Sequence, residues 1–195
     1  MYTENKGIPL GVIWQSIADT IKSNDFTQRL DQTRQGSASR MTDALVNALN
    51  AQGFDARVLQ GVQRLPKDPN YIDPKKLPTA EPVLHVYFNE VGMYSSRFSM
   101  NYVPRMNVYA ELIDSGNNDF GYSDYVYYGA DARGSAPWSI PADPAFKWGS
   151  FNEMVERPQG VTDAYNAAVD AIAMRLAVNL RAQVKSRSDT TPARQ

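Results

Sequence analysis

Three alternating runs in the middle third of the chain constrain its fold most. They read EPVLHVYFNEVGM over 81–93, PRMNVYAELIDS over 104–115 and FGYSDYVYYGA over 120–130. Each run alternates apolar and polar residues along most of its length. That period of two is the mark of strands with one face in a core and the other turned outward. In the first run Leu84, Val86 and Phe88 share one side, and His85, Tyr87 and Asn89 the other. In the second, Met106, Val108, Ala110 and Leu112 oppose Asn107, Tyr109 and Glu111. In the third, Tyr122, Asp124, Val126 and Tyr128 oppose Ser123, Tyr125 and Tyr127. The polar segment 114–119 has the residues of a hairpin turn, so neighbouring runs are expected to pair antiparallel.

Two helices frame these runs. Met41, Leu45, Ala48 and Leu49 make an apolar stripe over 39–52, with Ser37 or Ser39 as its cap and Gly53 at its left-handed end. Val161, Tyr165, Ala168, Val169, Ile172, Leu176 and Leu180 make a second stripe over 161–184. Phe54 to Leu59 alternates as a short strand. Residues 10–23 carry both a helical spacing (Leu10, Ile13, Trp14, Ile17, Ile21) and a β-branched, aromatic core at 12–14. Prolines at 66, 69, 74 and 78 exclude a helix or a central strand from 61–80, leaving a long surface loop, either a solvated crossover or a functional excursion. The irregular stretch 129–150 holds Trp138, Phe146 and Trp148 to tack it down. The expectation is an α+β fold: an antiparallel sheet of four to five strands with two main helices packed on one face. A flexible leader over 1–9, a single domain over 10–184 and a disordered tail over 185–195 complete the organisation.

Composition narrows the chemistry. The 20 basic and 21 acidic residues nearly cancel and form no basic stripe, so no nucleic-acid partner is expected. The chain has no cysteine, which removes disulfides, thiolate catalysis and cysteine metal sites. His85 is the sole histidine. No serine elbow accompanies it, and it reads as a half-exposed sheet residue rather than a base or a zinc ligand. Segment 114–121 lacks the ligand pattern of a calcium loop, and no glycine-rich phosphate cradle is present. No catalytic residue, cofactor or metal is expected. Glu90, Glu111 and Asp124 are the carboxylates a hydrolase would need close together, and their alternation does not bring them into one cleft.

The outward tyrosines Tyr87, Tyr109, Tyr125 and Tyr127 are the candidate partner-binding residues. Tyrosine buries a large area at small entropic cost and keeps a polar tip. The alternative is that a second layer of the same chain, such as 129–150, covers them.

The pieces ALVNALNAQGFDARVL, PVLHVYFNEVG, MNVYAELIDSGNNDFGYSDYVYYG and IPADPAFKWGSFNEMVERP, in this order, resemble the small outer-membrane lipoprotein domains of Gram-negative bacteria. Related architectures are those of the penicillin-binding-protein activator and curli-secretion lipoproteins. The resemblance covers about residues 11–184 and favours a strand at 12–17. It implies an exported domain facing the periplasm, anchored at the outer membrane only through a lipid on an N-terminal cysteine. It carries no catalytic residues. The sequence departs from the pattern in having no cysteine. The leading expectation is a non-enzymatic domain that binds another envelope protein. The other readings are a self-associating subunit of an envelope or secretion assembly, a cell-wall hydrolase using Glu90 or Glu111, and a cytoplasmic binding module.

Overall fold

A computed structural model describes residues 2–5, 28, 36–63, 67, 70–95, 101–113 and 121–190. The strands are β1 (Tyr2–Asn5), β2 (Val83–Ser95), β3 (Tyr102–Ile113), β4 (Ser123–Gly129) and β5 (Ser139–Ile140). The helices are α1 (36–51), α2 (Phe151–Glu156) and α3 (Pro158–Thr190). One sheet carries the strands in the order β1-β2-β3-β4-β5. The α+β class holds, with α1 and α3 as its two main helices.

The three long strands pair antiparallel, as their turn and alternation require. Both edges depart from the expected all-antiparallel sheet. β1 runs parallel to β2 and β5 parallel to β4, so the sheet is mixed. A parallel return ordinarily takes a long crossover. Here residues 130–138 suffice, because β5 is only two residues long. The stretch expected as a leader therefore supplies a paired edge strand, and the stretch expected as a tail begins inside α3.

β3 is the centre of the packing. Met106, Val108 and Ala110 are fully buried on one side, against Val126 and Tyr128 of β4 and the apolar stripe of α3. Met41, Leu45, Ala48 and Leu49 of α1 join the same cluster. Ile140, Phe146 and Trp148 tack the irregular segment onto this helix-covered side. β3 starts two residues before Pro104 because Tyr102 exchanges both main-chain hydrogen bonds with Trp148, at 2.7 and 3.0 Å. Pro104 is tolerated because β4 ends opposite Arg105, and Ala130 donates to the proline carbonyl at 3.0 Å.

Local chemistry explains the remaining differences. Ser37 and Ser39 lie inside α1 rather than capping it. The C-terminal end is as its glycine requires: Gly53 has φ +82, its N–H donates to Asn50 and the N–H of Phe54 reaches Leu49. Residues 54–57 alternate in burial, but Val58, expected inward, is exposed, and the segment joins no strand. Asn50 holds both main-chain groups of Ala56, accepting its N–H at 2.7 Å and donating to its carbonyl at 3.2 Å. These are the groups a ladder would use. The short helix α2 follows from Ser150, whose Oγ accepts the Glu153 N–H, while Glu153 accepts from Gly149. The conflict at 10–23 and the hairpin at 114–119 lie outside the described residues.

Two predictions follow from the packing. A Cβ at Gly129 (φ +78) would sit 1.9 Å from the Pro104 carbonyl oxygen, whereas one at Gly53 meets nothing within 4 Å. Gly53→Ala should cost about 1 kcal/mol in urea unfolding, from backbone strain alone. Gly129→Ala should cost about 3 kcal/mol or more; equal losses would mean that the close approach of β3 and β4 is misplaced. The second concerns pH. Burial, then the charge of Asp124, raises the Tyr122 hydroxyl far above its ordinary range, and burial also raises Tyr128. Both stay protonated in the folded chain where the unfolded chain ionises. Their contribution is whole below about pH 10 and declines as pH rises beyond it. Thermal melts from neutral to strongly alkaline pH should show this fall, and Tyr122→Phe should flatten it. An unchanged slope in that variant would contradict the assignment.

Candidate functional site

The side of the sheet turned away from the helices is built by the odd positions of β3 and β4, and in β2 by His85 and Tyr87 and then by the even positions from Glu90 onward. Opposite β3 residues on this side are His85↔Glu111 and Tyr87↔Tyr109 from β2, and Tyr109↔Tyr125 and Asn107↔Tyr127 from β4. The four candidate tyrosines therefore come together on one surface. Their rings form a continuous row. Centroids lie 5.3 Å apart for Tyr87–Tyr109, 4.7 Å for Tyr109–Tyr125 and 6.4 Å for Tyr125–Tyr127. His85 extends the row, 5.3 Å from Tyr87. The main chain explains the tightest contact. Leu112 N–H donates to Tyr122 O, so even-numbered β3 residues bond to β4 and Tyr109↔Tyr125 is a non-hydrogen-bonded pair, in which side chains approach most closely.

The row is graded in exposure. His85 is 3% exposed and Tyr125 50%. Tyr87, Tyr109 and Tyr127 lie between these limits. The sequence placed His85 on the correct side but read it as half-exposed; it is buried. Its Nδ1 lies 3.1 Å from Glu111, bridging β2 and β3. Glu111 and Ser123 both act on the Tyr109 hydroxyl. Burial, then the charge of Glu111, raises the Tyr109 hydroxyl above its ordinary range, so it stays a neutral donor. Glu111 thus links His85 of β2 to the neighbourhood of Tyr109 on β3, beside the rings.

At the far end of the same face stands a polar cluster that the sequence reading missed. Arg105 Nε donates to Asp131 at 2.6 Å, and its Nη2 meets Glu90 at 3.0 Å. Asn107 donates to both carboxylates, at 3.0 and 2.6 Å. The Arg105 guanidinium also lies over the Tyr94 ring, 5.2 Å from its centre. A register shift between Phe88 and Glu90 makes this possible. Without that bulge Glu90 would point into the core; with it, Asn89 is the extra residue and Glu90 joins Arg105. The only sequence signal was an alternation that fails at Asn89-Glu90-Val91.

The carboxylates proposed for hydrolysis do not converge. Asp124 is on the helix side, accepting from Asn179 at 2.7 Å. Glu90 and Glu111 stand opposite Asn107 and His85, positions about 13 Å apart along the strands. Each is held by its own partners. The aromatic residues of 129–150 that enter the core do so on the helix side, so they are not a layer over the tyrosines. Trp138 is half exposed at the sheet edge.

No protein-family model, curated protein or solved structure matches this chain. Among the described residues, no helix is long and apolar enough to cross a membrane.

The ring row should stabilise the sheet measurably but modestly. Tyr109→Ala, Tyr125→Ala and the double variant, compared by urea unfolding, should show a coupling of about 0.5–1 kcal/mol. A coupling near zero would mean that these rings touch without supporting each other.

Proposed function

We propose that this chain is a non-enzymatic binding domain that holds another protein against the tyrosine side of its sheet. One observation carries this reading. Tyr87, Tyr109, Tyr125 and Tyr127 form an unbroken row across three strands, on the side opposite the helices, and Tyr125 within it is half exposed. The core of the fold lies on the other side and does not need these rings for its burial. Rigid aromatics with polar tips are favoured where a surface must bury area on binding without losing much side-chain freedom. The ring-to-ring contacts and the His85–Glu111 bridge hold the row in place beforehand, which lowers the entropic cost of association.

The setting proposed is the cell envelope, with a neighbouring envelope protein as partner. Its support is the resemblance to outer-membrane lipoprotein domains in the order of the helix, the tyrosine-rich strands and the final helix.

A photo-crosslinking amino acid at position 125 tests both parts in the native cell. The expected outcome is one dominant adduct to an envelope protein, lost when Tyr127→Ala is added, and absent when the crosslinker replaces the equally exposed Met174 on α3. Equal crosslinking from positions 125 and 174 would refute the binding surface. A dominant adduct to a cytoplasmic protein would keep the surface and refute the setting.

A further inference from the structure

The tyrosine row ends at β4, and among the described residues part of the β4 edge has no partner strand. The Leu112–Tyr122 hydrogen bond sets the direction of the main chain: even-numbered β4 residues bond to β3, while Ser123, Tyr125 and Tyr127 turn their N–H and C=O groups away from it. Tyr127 N–H is taken by Trp138 O at 2.8 Å, where β5 begins. β5 reaches no further along β4. The Pro137 carbonyl is drawn to α3 by Arg175 at 2.6 Å and Asn179 at 3.4 Å, and Ser139 N–H turns back to Ala136 at 2.9 Å. On the other side, Gln183 occupies the Gly121 carbonyl at 2.9 Å. Between these two fixed points, the edge-facing main-chain groups of Ser123 and Tyr125 receive no hydrogen bond from the described residues. Both residues are exposed.

Open edges are normally blunted by proline, lysine, a bulge or an inward-pointing charge. The β4 sequence SDYVYYG has no proline or lysine and its pairing with β3 is unshifted; its one charge, Asp124, points to the helix side and is held there by Asn179. Two aromatics flank the opening instead: Tyr125 and Trp138, each 50% exposed. Trp138 is held by its backbone, since Arg175 also reaches the Ser139 carbonyl at 3.4 Å.

We propose that the β4 edge accepts an added strand: an extended peptide segment of the partner, bonded to the main chain of Ser123 and Tyr125. Alternate side chains of such a segment face the tyrosine side, so an aromatic or apolar residue there lies against Tyr125 and Tyr127. Backbone bonds then supply affinity, and the alternate side chains supply selectivity. This inference rests on the tyrosine row being the partner surface, and it names the form in which the partner arrives.

The probe is a set of short random peptides displayed on phage, selected on the immobilised full chain. The best peptide, made synthetically, should slow amide exchange at Ser123 and Tyr125 by about tenfold or more while leaving Asp124 and Val126 unchanged. Ser123→Pro removes the edge-facing N–H together with the side-chain hydroxyl, and Ser123→Ala removes the hydroxyl alone; the proline variant should bind that peptide about tenfold more weakly than the alanine variant, with an unaltered circular dichroism spectrum. Tyr125→Ala should weaken it as well. Unchanged exchange at the two amides, or a library that yields no binder, would overturn strand addition; both are read on the unmodified protein. If Tyr125→Ala loses the peptide and Ser123→Pro keeps it, the tyrosine surface stands and strand addition falls. If both keep it, both readings fall.

Discussion

The burial of β3 against α3 is the constraint on which the rest of the structure depends. Met106, Val108 and Ala110 have no solvent exposure, and every alternate residue between them must then face the other way. A slip of one residue would drive Asn107, Tyr109 and Glu111 into the core. The apolar side thereby fixes the register of both neighbours, and the register assembles the tyrosine row from three separate strands. The bulge at Asn89 is the one place where the alternation is reset, and it keeps the carboxylate of Glu90 out of the core.

Much of this was legible in the sequence because period-two and period-3.6 patterns report burial directly. The side assignments of Leu84, Val86 and Phe88, of all seven central β3 positions and of the β4 tyrosines are those found. So are the apolar stripes of both main helices. What was not legible has particular physical causes. The strand expected at 54–59 has the right alternation, but the side chain of Asn50, outside that segment, takes the backbone groups it needed. The parallel edges depend on where short strands land, which local pattern does not encode. The burial of His85 and the Arg105 cluster depend on cross-strand partners and on a bulge. The α2 start was readable from Ser150 and Glu153 and was missed.

The two sides of the sheet divide the work. The helix side holds the core, and α3 also reaches past it. Its polar row, Arg175, Asn179 and Gln183, grips the carbonyls of Pro137 and Gly121 and so decides where β5 begins. The same helix that buries β3 therefore shapes the edge of β4. The tyrosine side contributes rings and hydrogen bonds that brace one another, with exposure rising from His85 toward Tyr125. Binding is proposed where bracing and exposure coincide.

The central claim is that Tyr125 is an open contact point in the free protein and a covered one in the cell. Tyrosine nitration read residue by residue by mass spectrometry tests it directly, on purified protein and on intact native cells. The account predicts that Tyr125 is modified readily when the protein is pure and is protected in the cell, while the exposed Tyr71 is modified equally in both. Equal modification of Tyr125 in the two settings would contradict it.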